Sequence, residues 1–211
     1  MNYETLFEFE RRLAAFTGAP YAVVTDGCTH ALELCFRFDE IKNTRFTAYT
    51  YISIAQMLNQ LGVVYELSTE HWIGDYQFYN TRIIDSARLL RRGMYKPGKL
   101  QCLSFGNGKP LSIGKMGAVL TDNDQVYQAL SLMRSDGRDL RISPWESQTN
   151  FRQGYHYCPT LEDCQRGIDL LETTDQNPKY HDYPDLRTIN FGQHLHPRGI
   201  EPDILGGVLD I

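Results

Sequence analysis

The sequence has 211 residues, enough for one domain with a substantial core and a short appendage. Hydrophobic residues make up 42% and charged residues 22%, ordinary values for a globular chain. The net charge of −5 gives no support to nucleic acid or an anionic membrane as a partner, and no apolar run approaches spanning length.

From the N-terminus, Leu6, Phe9, Leu13 and Phe16 recur at helical spacing, with Glu8, Glu10, Arg11 and Arg12 on other faces. Gly18-Ala-Pro20 stops that helix. A strand is expected at Tyr21–Thr25, a helix at Thr29–Phe38, a strand at Arg45–Tyr49, and a helix at Ile52–Leu61 that ends at Gly62. Further strands are expected at Val63–Leu67, Arg82–Asp85, Leu100–Phe105 and Met116–Thr121. Asp122 or Asn123 can cap a helix running to Arg134, and Thr160 another running to about Glu172. This βα alternation implies an α/β fold: a three-layer α/β/α domain over residues 1–172 around a mainly parallel sheet. Residues 173–211, rich in Asp, Pro, Tyr and His with weak periodicity, read as an extended arm or tail.

Ligands of such sheets sit at the carboxyl ends of the strands. Four candidate parts fall there. The run Leu100–Leu103 delivers Ser104 and then Lys109 across a Gly-Asn-Gly turn. A lysine amine condenses with an aldehyde, and a serine hydroxyl donates to phosphate. The apolar strand Arg82-Ile83-Ile84 ends in Asp85, a carboxylate suited to keeping a pyridine nitrogen protonated. The turn Asp26-Gly27-Cys28-Thr29 opens a helix, offering free N–H groups and a hydroxyl to a phosphate. Lysine, aspartate, phosphate turn and serine are what a pyridoxal 5'-phosphate site requires.

In this order, these residues resemble the DegT/DnrJ/EryC1/StrS sugar aminotransferases of the fold-type I pyridoxal phosphate enzymes, from about Phe9 to about Leu171. Gly18-Ala19-Pro20-Tyr21-Ala22-Val23 is similar to the family's opening strand, Asp85-Ser86-Ala87 to its pyridine-nitrogen motif, and Ser104 through Lys109 with Gly117-Ala118-Val119 to its Schiff-base segment. The resemblance implies the large domain of a pyridoxal-phosphate-dependent transferase. It further implies Lys109 and Asp85 as catalytic residues, and Cys28, Thr29, Tyr51, Asp85, Ser104, Lys109 and His156 as cofactor-binding. Tyr51 would stack on the cofactor ring, and His156, where an Asn is usual, would reach the phosphate of a neighbouring subunit. A homodimer is therefore expected.

The sequence also departs from the family. Val63-Val64-Tyr65-Glu66 reaches Asp85 through only a short aromatic and polar stretch, so one βα unit is expected to be missing. Only a short tail follows Thr174, where the resemblance implies a second, smaller domain. Arg88 stands where Gln or His is common; with Arg91 and Arg92 it forms either a solvated loop or a cluster facing an anionic substrate. Two functions remain in view: an aminotransferase moving an amino group from a donor to a keto-sugar, most simply a nucleotide-linked one, and a degenerate relative serving as a cofactor-binding or assembly module. The five cysteines show neither zinc spacing nor a CxxC pair, and His194 and His196 lack further ligands, so no metal is expected. Reduced thiols and an opening without a signal peptide lead to the expectation of a cytoplasmic protein.

Overall fold

The computed structural model of the chain describes residues 2–191. In chain order the elements are α1 (Glu4–Thr17), β1 (Tyr21–Thr25), α2 (Cys28–Phe38), β2 (Asn43–Thr47), α3 (Ile52–Leu61), β3 (Val64–Ser68), β4 (Tyr76–Gln77), β5 (Ile83–Asp85), β6 (Leu100–Ser104), β7 (Gly117–Thr121), α4 (Asp124–Arg134) and α5 (Leu161–Leu170). The predicted stops and caps operate. Gly18 and Gly62 take φ of +76° and +66°, a left-handed turn that glycine enters without strain. The Asn123 side chain accepts from Val126 N, and Thr160 Oγ1 accepts from Asp163 N.

The strand order β1-β7-β6-β5-β4 forms one sheet, and β2 pairs with β3 beside it. Strand periodicity builds the layers. Ala22, Val24, Leu103, Ala118 and Leu120 face one side and pack on α1 and α5, through Phe9, Leu13 and Cys164. Val23, Ile83, Cys102 and Val119 face the other and pack on α2, α3 and α4, through Leu32, Leu58 and Leu130. The three-layer α/β/α architecture is therefore as expected, each fully buried Leu or Phe contributing roughly 1.5–3 kcal/mol.

The pairing is mixed, where the βα alternation points to a mainly parallel sheet. β5–β6 and β2–β3 are parallel; β1–β7, β6–β7 and β4–β5 are antiparallel. The reason lies in the connections. Parallel neighbours need a crossover of a dozen or more residues, usually a helix. Between β4 and β5 the chain has room only for a turn, in which Phe78 N donates to Ile83 O. Tyr79 N then donates to Arg45 O, so the β4 turn joins the small β2–β3 sheet to the large one.

Residues 174–191 contain only one turn of 3-10 helix, Leu186–Thr188, and lie against the body. Lys179 N donates to Arg88 O, Leu186 N donates to Ala48 O, and Leu186 is fully buried. The His194–His196 pair and the rest of the predicted tail lie outside the described residues.

One buried ion pair ties the layers together. Arg134 Nη1, at the end of α4, donates to Glu10 Oε1 of α1 at 2.5 Å and to Val24 O of β1, while Val24 N donates back to Glu10. Burial pushes the Glu10 carboxyl up, against the pull of the Arg134 guanidinium. Removing one partner strands the other charge. Arg134→Ala should cost about 3–5 kcal/mol in denaturant unfolding. A loss below about 1 kcal/mol would show that water reaches Glu10.

Candidate functional site

β1, β5, β6 and β7 bring their chemistry to one end of the sheet. Parallel pairing sets Asp85 beside Cys102, and antiparallel pairing sets Ser104 beside Gly117. A cavity of about 490 Å³ opens there, lined by Cys28, Thr29, Tyr51, Asp85, Ser104 and Lys109 among others. Six of the seven predicted residues thus converge. A larger cleft of about 830 Å³ lies between α1, β1 and the loop at Leu140; none of the seven lines it, and its buried carboxylate Glu10 is already taken by Arg134.

At one end of the cavity the first turn of α2 opens with no side-chain cap, leaving its N–H groups for a ligand. Gly117 makes this approach possible, because a Cβ there would stand 2.5 Å from Cys28 N. Thr29 Oγ1 shares a hydrogen bond of 2.7 Å with Ser53 Oγ, which fixes a second hydroxyl at the same end. The turn is braced from behind: His30 Nδ1 lies 2.5 Å from Asp26 Oδ1, and the His30 ring stacks on Tyr157 at 3.8 Å. His30 thus holds the turn and does not line the cavity.

Asp85 forms the floor. It is 3% exposed, and its Oδ1 accepts from Ala87 N at 2.9 Å. Burial pushes its pKa up, opposed by the Ala87 N–H, the Lys109 charge and Tyr76. Burial also raises Cys28 and Tyr76 well above their ordinary values, with Asp85 adding to both. Lys109 is half-buried at the wall, and its Nζ donates to Tyr183 Oη at 3.4 Å. Lys115, the other cavity lysine, is 73% exposed and turns to Asp26 at 3.9 Å. Lys109 is the amine that faces inward.

Tyr51 lies at the mouth, 59% exposed, where an aromatic ring can cover a ligand. His156 does not join the site of its own chain. Its side chain is 88% exposed and pairs with Asp136, at 3.2 Å. Sequence reasoning missed Ser53, Trp72 and Tyr183 as lining residues. Ser53 carried a faint signal as the start of a helix; Trp72 and Tyr183 carried none, because long-range packing brings them there.

The raised Asp85 fixes a sign. A carboxyl lifted by folding contributes stability below its unfolded pKa, and that contribution is lost as pH rises through the folded pKa. The cofactor-free protein should therefore lose stability over that rise, and Asp85→Asn should not. At neutral pH we expect the Asn variant to be more stable by about 0.5–2 kcal/mol, the usual gain when a strained functional group is relieved. Thermal unfolding across pH checks this; an equal or lower midpoint in the variant would show that Asp85 is not held against its preference.

Known proteins share this fold. The family model of the DegT/DnrJ/EryC1/StrS aminotransferase family matches residues 1–66 and 91–168. A UDP-4-amino-4,6-dideoxy-N-acetyl-beta-L-altrosamine transaminase of Campylobacter jejuni is 31% identical over 105 residues, covering 47% of this chain and 27% of that protein. Among solved structures, Helicobacter pylori PseC, an aminotransferase involved in the biosynthesis of pseudoaminic acid, aligns with a TM-score of 0.64 at 16% identity, over 80% of this chain and 57% of that one. AtS13 of Actinomadura melliaura aligns with a TM-score of 0.68 at 19% identity, over 82% and 60%. The chain thus spans well under two thirds of the length of the relatives it matches. Asp85 falls in the unmatched stretch 67–90, yet stands in the same cavity as the matched Lys109. With a family model covering most of its length, the chain belongs to the DegT/DnrJ/EryC1/StrS aminotransferase family.

Proposed function

We propose that the protein is a pyridoxal-phosphate-dependent aminotransferase that moves an amino group between an amino donor and a keto-sugar, most simply a nucleotide-linked one. The observation that carries this is the convergence of an inward lysine, a buried carboxylate and an uncapped helix N-terminus in one cavity. Their chemistry fits the cofactor, because Asp85 is buried without a resident counter-ion in its own hydrogen bonds, and the Cys28 turn would be closed by any side chain at Gly117. Pyridoxal phosphate, when bound, supplies the electron sink for breaking bonds at the amino-bearing carbon.

The chain's own residues do the rest. Thr29, Ser104 and the N–H groups at Cys28 hold the phosphate. Asp85 keeps a proton on the ring nitrogen, and Tyr51 covers the ring. Lys109 Nζ would hold the cofactor and would move the proton between the amino-bearing substrate carbon and the cofactor. Among the described residues no helix is long and apolar enough to cross a membrane. The five cysteines are free thiols, which fits a reducing cytoplasm.

The degenerate-module reading has one observation in its favour: a tyrosine hydroxyl already sits on the Lys109 amine. Absorbance separates the two. The protein mixed with pyridoxal phosphate should develop a visible band and yield a borohydride-trapped adduct at Lys109, both lost in Lys109→Ala. If the wild-type protein takes up no cofactor, the module reading wins.

We also propose a symmetric homodimer in which His156 reaches the partner's site. Its exposure and its place outside the lining of its own cavity support this. Light scattering should give twice the chain mass; a monomer that carries cofactor would mean that one chain builds the whole site.

A further inference from the structure

We propose that Tyr76 is a positioning residue for Asp85: its hydroxyl, held in turn by Thr50, donates to the carboxylate from behind the cavity, so that a proton shared with a ring nitrogen stays on the nitrogen. The inference rests on the proposed function for the ring nitrogen, but the pairing of Tyr76 with Asp85 does not depend on it.

A dry carboxylate is a poor keeper of a proton on another base. Burial lifts the proton affinity of Asp85, and the same lift would draw the proton of a neighbouring ring nitrogen onto the carboxyl. Three groups oppose it: the Ala87 N–H, the Lys109 charge and the Tyr76 side chain. The Ala87 bond is fixed by the backbone, and the Lys109 amine is committed to the cofactor. Tyr76 is the side chain left to serve the carboxylate alone. The other titratable neighbours do not help. Asp75 raises Asp85 and is itself paired with Lys96 at 2.7 Å. Burial keeps the Cys28 and Cys102 thiols well above their ordinary range, so they stay neutral.

The short β4–β5 hairpin puts Tyr76 in place. Antiparallel register sets it directly opposite Asp85, so the two side chains share one face of the sheet. The turn locks that register: Phe78 N donates to Ile83 O, Thr81 Oγ1 donates to Phe78 O, and Ile83 N donates to Thr81 Oγ1. A slip of one residue would turn Tyr76 to the opposite face. The ring is held by Trp72, with centroids 5.0 Å apart, and by Phe78 at 5.3 Å. Asp85 and Thr50 line the cavity and Tyr76 does not, so the phenol stands behind the carboxylate.

Charge sets the direction of each bond. Tyr76 Oη lies 3.1 Å from Thr50 Oγ1. The phenol has one proton, and burial and the Asp85 charge hold it there, raising Tyr76 well above its ordinary range. Between a hydroxyl and a carboxylate, that proton goes to the carboxylate, since charge-assisted bonds are roughly twice as strong as neutral ones. Thr50, only 2% exposed, then donates to Tyr76 Oη. Tyr76 and Asp85 both fall in the unmatched stretch 67–90. The segment that departs from the family model thus carries the carboxylate and its donor together.

Carboxyl NMR of the full chain, isotope-labelled at aspartate, reads the pairing without cofactor. The Asp85 signal, identified by its loss in Asp85→Asn, should titrate at higher pH in Tyr76→Phe than in the wild type, because the carboxylate loses a donor while the ring keeps its packing. Thr50→Val should move it the same way by less, and tests the idea even if Tyr76→Phe fails to fold. The loaded protein reads the consequence. With pyridoxal phosphate labelled at its ring nitrogen, nitrogen NMR should find that atom protonated in the wild type. In Tyr76→Phe its resonance should move toward the unprotonated position marked by Asp85→Asn, with cofactor uptake retained. The proposal is overturned if Tyr76→Phe leaves the Asp85 titration in place or moves it to lower pH, and a loss of stability without that shift would make Tyr76 structural only. It is also overturned if Thr50→Val moves the titration to lower pH, since Thr50 would then compete for the Tyr76 proton, or if the ring nitrogen is as protonated in loaded Tyr76→Phe as in the wild type. Both titration shifts in a protein that takes up no pyridoxal phosphate would keep Tyr76 as the residue that positions Asp85 and end the aminotransferase reading.

Discussion

The site depends on a carboxylate kept dry at the end of a strand. Asp85 is enclosed on the floor of the cavity, and folding alone would prefer it protonated. A bound cation beside it reverses that preference, because opposite charge in a poorly hydrated place is worth far more than in water. Under the proposed function, selectivity for a protonated ring nitrogen would be held as a cost in the empty protein. The rest of the structure supports that cost: β6 pairs along β5, the Ala87 N–H fixes the carboxylate's direction, and Lys109 lends charge from the wall.

A shortened path between β3 and β5 shapes everything around this floor. Where a crossover helix would carry the chain to a parallel neighbour, a two-residue strand and a turn carry it to an antiparallel one. The space is filled by aromatic packing: Tyr76, Phe46 and Phe36 each contact Phe78, and Trp72 extends the cluster through Tyr76 to the cavity mouth. Rings bury much area for little side-chain entropy, which suits a short segment that must replace a whole helix. The same economy brings Trp72 to the place where the Tyr183 ring packs.

Much of this was legible in the sequence, and what was not has a common cause. Alternation in Ala22-Val23-Val24 and Ala118-Val119-Leu120 gives two-sided burial, and the caps at Gly18, Gly62, Asn123 and Thr160 are local chemistry, so layers and helices could be read directly. Cys28, Thr29, Asp85, Ser104 and Lys109 could be placed because each follows a strand, and strand ends share one edge. Strand direction could not, since antiparallel β6–β7 depends on a connection whose length does not announce its course. β4, two residues long, has no periodicity to detect. Tyr183 lies 74 residues beyond Lys109, and nothing local records that they meet.

Residues 174–191 border the cavity that Asp85 occupies. A site that raises Asp85 by burial needs a cover, and His181 and Tyr183 line the cavity from residues with almost no secondary structure. Residues 174–191 are held by backbone hydrogen bonds to Arg88 O and Ala48 O, by the Gln176 side chain accepting from Arg92 N, by the Tyr183 ring on Trp72, by buried Leu186, and by Ile189 and Phe191 packed on the core. The Tyr183 hydroxyl accepts from both Arg88 Nε and Lys109 Nζ, so the residue that borders the cavity mouth also holds the amine. Access to the cavity and release of the lysine are thereby linked through one side chain.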